Sequence, residues 1–212
     1  MQTHVQQLQS SPPRVFNYSL DWRFLLPMAD VSKIRVVLEE DADFSQTLER
    51  VGIPVSNQIS FSDVKQNNRE DTESLVLPFG LPVRWVSAQS KDQIEFYRSI
   101  QNFICPSGHV LIGFENRWNS RSNTKYHPST PRRVVRQLTQ AGFRSIKIFG
   151  AMPNLRIPEH IFDLEDQALY FAIVHRFRRK AGLLRVMQII SQTIGLSGLF
   201  GFLPCYFVVA VA

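Results

Sequence analysis

His127 stands in RWNSRSNTKYHPST, a polar stretch between two apolar ones. Imidazole titrates near neutrality, which makes this residue the best-placed candidate for a general base. A histidine in such a loop can equally be an ordinary surface residue, and both readings stay open. Glu115, Asn116 and Arg117 follow the apolar run HVLIGF and would close a strand. In open parallel sheets ligands gather at the carboxyl ends of strands, so Asn116 and Arg117 are candidate substrate contacts. A plain polar loop has the same composition. Further upstream, Glu39, Glu40, Asp41 and Asp43 crowd four carboxylates into one short segment. Such a loop repels phosphates and argues against a nucleotide di- or triphosphate. It would also cap the helix that follows it.

Other chemistries find no support. The histidines (His4, His109, His127, His160 and His175) show no metal-ligand spacing. The sequence has no P-loop and no Gly-x-Ser-x-Gly elbow. Its two cysteines, Cys105 and Cys205, make neither a disulfide framework nor a zinc site and suit a reducing compartment. The polar start MQTHVQQLQSSPPR lacks the apolar core of a secretory signal. These features predict a cytoplasmic protein with a flexible arm at 1–14 and a single domain over 15–212.

Charge is unevenly placed. Residues 1–100 carry a net charge of −3 and residues 101–212 a net charge of +9. The basic excess is densest in HRFRRKAGLLR, where Arg176, Arg178, Arg179 and Lys180 adjoin Leu183 and Leu184. Such a segment suits an anionic membrane surface or a protein partner, and it equally suits a helix end with its apolar face in the core. Nucleic acid ranks lower, because interleaved aromatic platforms are missing. Residues 194–212 carry no charge, but Gly195, Gly198, Gly201 and Pro204 interrupt them. Their aromatic and β-branched end predicts a buried strand over 206–211 rather than a membrane span.

The remaining elements follow from periodicity and caps. DWRFLLPMAD (21–30) should pack against the body of the domain. Strands are predicted at 33–40, 57–64, 75–77, 109–115 and 144–149. Helices are predicted at 43–52, at 90–104 with Ser90 and Gln93 as a capping box, and at 130–141. Pro153 and Pro158 predict an irregular loop over 151–166, and helices should follow at 164–180 and 182–193. Strands alternating with helices predict a parallel α/β sheet.

ICPSGHVLIGFENRW and TPRRVVRQLTQAGFRSIKIFG together (residues 104–150) resemble the late half of a class I S-adenosylmethionine-dependent methyltransferase. In that family one turn like Pro-Ser-Gly precedes the fifth strand and one like Ala-Gly-Phe precedes the sixth. The resemblance implies a Rossmann-like sheet, mostly parallel and seven-stranded, with the last strand antiparallel. A helical segment would be added over 151–200. It also implies S-adenosylmethionine as cofactor and methyl transfer to a small molecule. Glu39 and Asp41 would then lie in the cofactor loop. Asp63, about 20 residues further on, would hold the ribose hydroxyls. Leu77 and Pro78 would line the cofactor pocket, Asn116 and Arg117 the substrate, and His127 would be catalytic.

The chain departs from the family at one decisive place. Its first glycine is Gly52, so the glycine-rich cofactor loop is absent and the motif is degenerate. Two expectations follow: a methyltransferase with a divergent cofactor loop, or a non-catalytic methyltransferase-like protein that binds through its basic half. Side chains of Glu40 to Phe44 filling the space above Leu38 would favour the second.

Overall fold

The computed structural model describes residues 21–27, 31–38, 42–50, 52–66, 72–117, 125–156, 158–163 and 203–212. The arm at 1–14, Glu39 and Asp41, the helices expected at 164–193 and the basic cluster Arg176–Lys180 lie outside them.

The first strand, β1 (Ile34–Val37), is the β-branched run expected there. Helix α1 (Ala42–Arg50) follows, then β2 (Gln58–Ile59) and α2 (Phe61–Lys65). Strand β3 (Ser74–Leu77) is buried throughout, as a central parallel strand must be. Next come α3 (Ser90–Phe103), β4 (His109–Glu115), α4 (Pro131–Ala141) and β5 (Arg144–Pro153). Strands β6 (Pro158–Asp163) and β7 (Cys205–Val211) complete the sheet.

The seven strands are ordered β2-β1-β3-β4-β7-β5-β6. β1 to β4 pair in parallel, and β7 enters antiparallel between β4 and β5. β5 therefore runs in the direction of β4. Set on the doubly wound order 3-2-1-4-5-6, strands β2, β1, β3, β4 and β5 take places 2, 1, 4, 5 and 6. The fold is thus the expected Rossmann-like methyltransferase sheet, with its last strand antiparallel. Its seventh strand is β6, where a loop was expected. β6 pairs antiparallel with the end of β5, Met152 opposite His160 and Ala151 opposite Ile161. Pro153 and Pro158 flank the turn of this hairpin: Pro158 is tolerated because β6 is an edge strand, and Pro153 lies past the last β5–β7 pair, Ala151 opposite Cys205.

Two other expectations are corrected. The strand predicted at 57–64 shrinks to two residues, because Ser60 starts a helix there. Its hydroxyl accepts from the Asp63 N–H, and the Asp63 carboxylate accepts from the Ser60 N–H at 2.8 Å. At α3 the N-cap is Gln89, which makes no side-chain cap bond. Ser90 and Gln93 instead tie α3 to α4, with Gln137 Nε2 donating to Ser90 Oγ at 3.1 Å and to Gln93 Oε1 at 2.8 Å. Helix α4 forms as its signals indicate: Thr130 caps it, Pro131 opens it, and Gly142, at φ 107°, stops it.

Alternating side chains feed two cores. On one face Val110, Ile112, Tyr206 and Val208 pack with Tyr97, Ile100, Val134 and Leu138 of α3 and α4. On the other, Leu111, Phe207 and Val209 join Phe44 and Leu48 of α1 and Trp22 of a 3-10 turn at Asp21–Leu25. Trp22 is only 1% exposed and Leu26 5%, so these two side chains anchor the described part of the segment, 21–27, to the body.

Burial pushes the phenols of Tyr97 and Tyr206 well above their usual range; at Tyr97 the nearby Arg133 charge opposes part of this. Unfolded phenols lose their proton near pH ~10, so above that pH the folded state binds more protons than the unfolded one. The stability these groups supply is complete below about pH 10 and is lost as the pH rises further. Urea midpoints should therefore fall steadily above about pH 10, with two tyrosines ionising only on unfolding. A flat profile through that range would contradict this burial.

Candidate functional site

The chain leaves β1 toward β2 and returns to β3 on the other side, so the switch point lies between the carboxyl ends of β1 and β3. Ligands of doubly wound sheets bind in that crevice. Two buried aromatic rings meet beside it. Phe44, in the first turn of α1, is 1% exposed, and Phe79, two residues past β3, is 7% exposed. Their centroids lie 5.0 Å apart, edge to face, the geometry that ring quadrupoles favour. Tyr126 adjoins Phe79 at 5.7 Å, and the Arg156 guanidinium lies 5.5 Å from the centre of the Phe79 ring.

A strap covers the ends of β3 and β4. Residues 125–129 are stitched on one side to the turn after β3, with Val83 N–H donating to Lys125 O at 2.9 Å and His127 N–H to Leu81 O at 2.8 Å. On the other side Ser129 N–H donates to Glu115 O at 2.9 Å and Arg117 N–H to Ser129 O at 3.0 Å. Beneath the strap the turn Pro78–Gly80 presses on β4. A Cβ on Gly113 would stand 2.1 Å from Pro78 O, and one on Gly80 would stand 2.8 Å from Gly113 O. Only glycine allows the two backbones to come this close.

The candidate residues do not converge on one site. Asp63 is exposed on α2 and its carboxylate serves the capping box described above. Leu77 is buried in β3, and Pro78 presents its carbonyl to Gly113. Asn116 is 1% exposed, and its Nδ2 donates to Leu203 O at 2.8 Å and to Tyr206 Oη at 3.2 Å. It thereby joins the end of β4 to the start of β7. Arg117 is exposed. His127 is half-buried, with Nε2 2.6 Å from Val86 O. A carbonyl only accepts, so Nε2 carries a proton in this contact.

A cleft of about 190 Å³ opens beside these rings, at the carboxyl ends of β3, β4 and β5. Phe79, Tyr126 and Leu155 supply apolar walls, while Glu115, His127 and Arg156 are polar. The Arg156 N–H donates to Asn154 Oδ1 at 2.9 Å, which shapes the turn that carries the guanidinium. Of these residues His127 was singled out from sequence as a candidate base, and Glu115 was placed with Asn116 and Arg117 at a strand end suited to a ligand. Arg156 lies in the β5–β6 hairpin, whose prolines signal a loop and hide a site. Among the described residues no group of three His, Cys, Asp or Glu side chains could hold a metal. Among them also, no helix is long and apolar enough to cross a membrane.

Strand order and the inserted β7 make this a methyltransferase-fold α/β protein. No protein-family profile and no curated protein matches the sequence. Among solved structures the chain is similar to an S-adenosylmethionine-dependent methyltransferase of Thermotoga maritima, at 8% identity over 89% of this chain and 84% of that one (TM-score 0.49). It is similar to another from Archaeoglobus fulgidus, at 12% identity over 84% and 85% (TM-score 0.47), and to one from Mesorhizobium loti, at 12% over 90% and 95% (TM-score 0.44). It spans 52% and 43% of the length of two other similar chains.

Proposed function

We propose that this chain is a non-catalytic, methyltransferase-like binding protein rather than a working S-adenosylmethionine-dependent enzyme. The observation that carries the reading is the Phe44–Phe79 pair, packed at 5.0 Å beside the switch point. A nucleoside cofactor needs open space and a close backbone approach there. This chain offers two buried rings and, before Gly52, no glycine. The described residues at the crevice therefore do not fit S-adenosylmethionine. Asp63 adds to the mismatch, since its carboxylate is already engaged in capping α2. In this reading the fold serves as a scaffold in the cytoplasm. Its basic stretch with Arg176, Arg178, Arg179 and Lys180 makes the contact to a protein partner or an anionic membrane surface.

Calorimetric titration with S-adenosylmethionine and S-adenosylhomocysteine tests this directly. No binding is expected up to millimolar ligand. Micromolar binding that disappears in Asp63→Ala would overturn the reading and restore methyl transfer to a small molecule as the function.

A further inference from the structure

We propose that the turn at 82–86 and the cations around it form a docking surface for an anionic lipid membrane. Two kinds of observation meet there. The first is apolar exposure. Among the described residues the exposed large hydrophobic side chains are Phe24, Val55, Val83 and Trp85, and two of these four share one turn. Val83 is 47% exposed and Trp85 36%. This exposure is built in, because the turn is tied down at several points. Val83 N–H donates to Lys125 O at 2.9 Å and Val86 N–H to Pro82 O at 3.1 Å. Lys65 Nζ donates to Trp85 O at 3.0 Å, and His127 Nε2 to Val86 O at 2.6 Å. An indole suits the boundary of a bilayer, where its ring meets acyl chains and its N–H stays among headgroups and water.

The second is charge. Lys65 sits on the turn itself, and Arg133 Nη2 donates to Ala88 O at 2.9 Å just past it. Helices α3 and α4 lie side by side and parallel: Arg133 meets Gln93 near their starts, and Arg98 meets Gln140 O near their ends. Exposed Lys91 and Arg132, in the first turns of α3 and α4, therefore stand at the same end of this layer as the turn. Among the described residues none of these four cations forms a salt bridge. The hydrogen bonds of Lys65 and Arg133 go to neutral oxygens, which leaves both charges uncancelled. A helix start disfavours cations, so Lys91 and Arg132 do not stabilise the helices that carry them. Asp92 and Glu95 are the acidic side chains lining the cleft beside Trp85, and the Asp92 carboxylate accepts from Ser87 Oγ. Four cations against these two carboxylates leave the surface positive. A nucleic-acid backbone would use the cations and leave Val83 and Trp85 in water. An anionic bilayer uses both, with headgroups on the charges and acyl chains on the apolar pair.

The inference deepens the reading of the chain as a binding scaffold, on which it rests, and selects the membrane over a protein partner. The experiment is sedimentation of the whole protein at low salt with vesicles of phosphatidylcholine, alone or with about 30% phosphatidylserine. The protein should bind the phosphatidylserine vesicles and bind phosphatidylcholine alone about tenfold or more weakly. Trp85→Ser should weaken binding about tenfold, and Lys91→Gln combined with Arg132→Gln by as much. Phe24→Ala should bind as the parent does, because its 3-10 turn packs on the opposite face of the sheet. Should Trp85→Ser fail to fold, Val83→Ser takes its place. No binding to phosphatidylserine vesicles overturns the proposal and leaves the turn to a protein partner. Equal binding to both kinds of vesicle overturns it too. So does parent-like binding by Trp85→Ser, which would assign the membrane contact to another part of the chain. Micromolar cofactor binding in the calorimetric titration would instead strike the scaffold reading while vesicle binding stood, so the two failures are told apart.

Discussion

Gly113→Ala is expected to destabilise the domain by about 3 kcal/mol or more, a large effect for one methyl group. Propensity predicts the opposite sign, because glycine inside a strand costs roughly 0.5–1 kcal/mol relative to alanine. Packing decides the outcome. The new Cβ would stand 2.1 Å from Pro78 O and 3.0 Å from a Phe207 ring carbon, and backbone is the first obstacle. Relief requires the Pro78–Gly80 turn to lift from β4, which would also disturb the strap above it. Urea denaturation measures the change. A midpoint at or above that of the parent protein would mean that the turn and the strand are not in contact.

Phe44→Ala should cost about 3–5 kcal/mol, the usual range for emptying a buried aromatic site. The ring is 1% exposed and is the edge-to-face partner of Phe79. By contrast Phe24, 83% exposed, should change stability by no more than about 0.5 kcal/mol on truncation. Phe44→Ala carries a second readout. If the ring fills the crevice, its removal leaves an apolar hole, and such holes take up small aromatic molecules. Benzene or indole should therefore raise the Tm of the variant and leave that of the parent unchanged. A small stability loss with no such rescue would mean the crevice is open already, and the cofactor question would reopen.

The parts of the fold legible in the sequence are those with local signals. Helix α4 carries a capping threonine, a proline at its first position and a glycine past its end, and its boundaries came out within a residue. β4 and β7 are uninterrupted apolar runs of strand length, and both were found. β6 was hidden because its prolines signal a loop, and only pairing with β5 makes it a strand. The 57–64 segment alternates like a strand, but the Ser60–Asp63 capping box outweighs that pattern. The site was less legible still. The missing glycines flagged the switch point, yet nothing local says that Phe44 and Phe79, 35 positions apart in sequence, meet beside it. Asn116 has the composition of a ligand contact, and its buried amide bonds to Leu203 and Tyr206 appear only once β7 is in place. Arg156 and Glu115 reach one cleft from two strands whose neighbourhood is set by sheet order alone.

That sheet order also bears on how the protein is made. β7 follows all the other described strands in sequence, yet it lies inside the sheet, bonded to β4 on one side and β5 on the other. A ribosome delivers the chain from its amino end, so β1 to β6 emerge before the strand that joins β4 to β5. Until Val211 clears the exit tunnel, the nascent chain holds two sheet fragments with apolar faces and unpaired inner edges. Such edges recruit other strands. The sheet is therefore most exposed to misassembly in the interval after β5 and before β7 has emerged, when a holding chaperone would matter most.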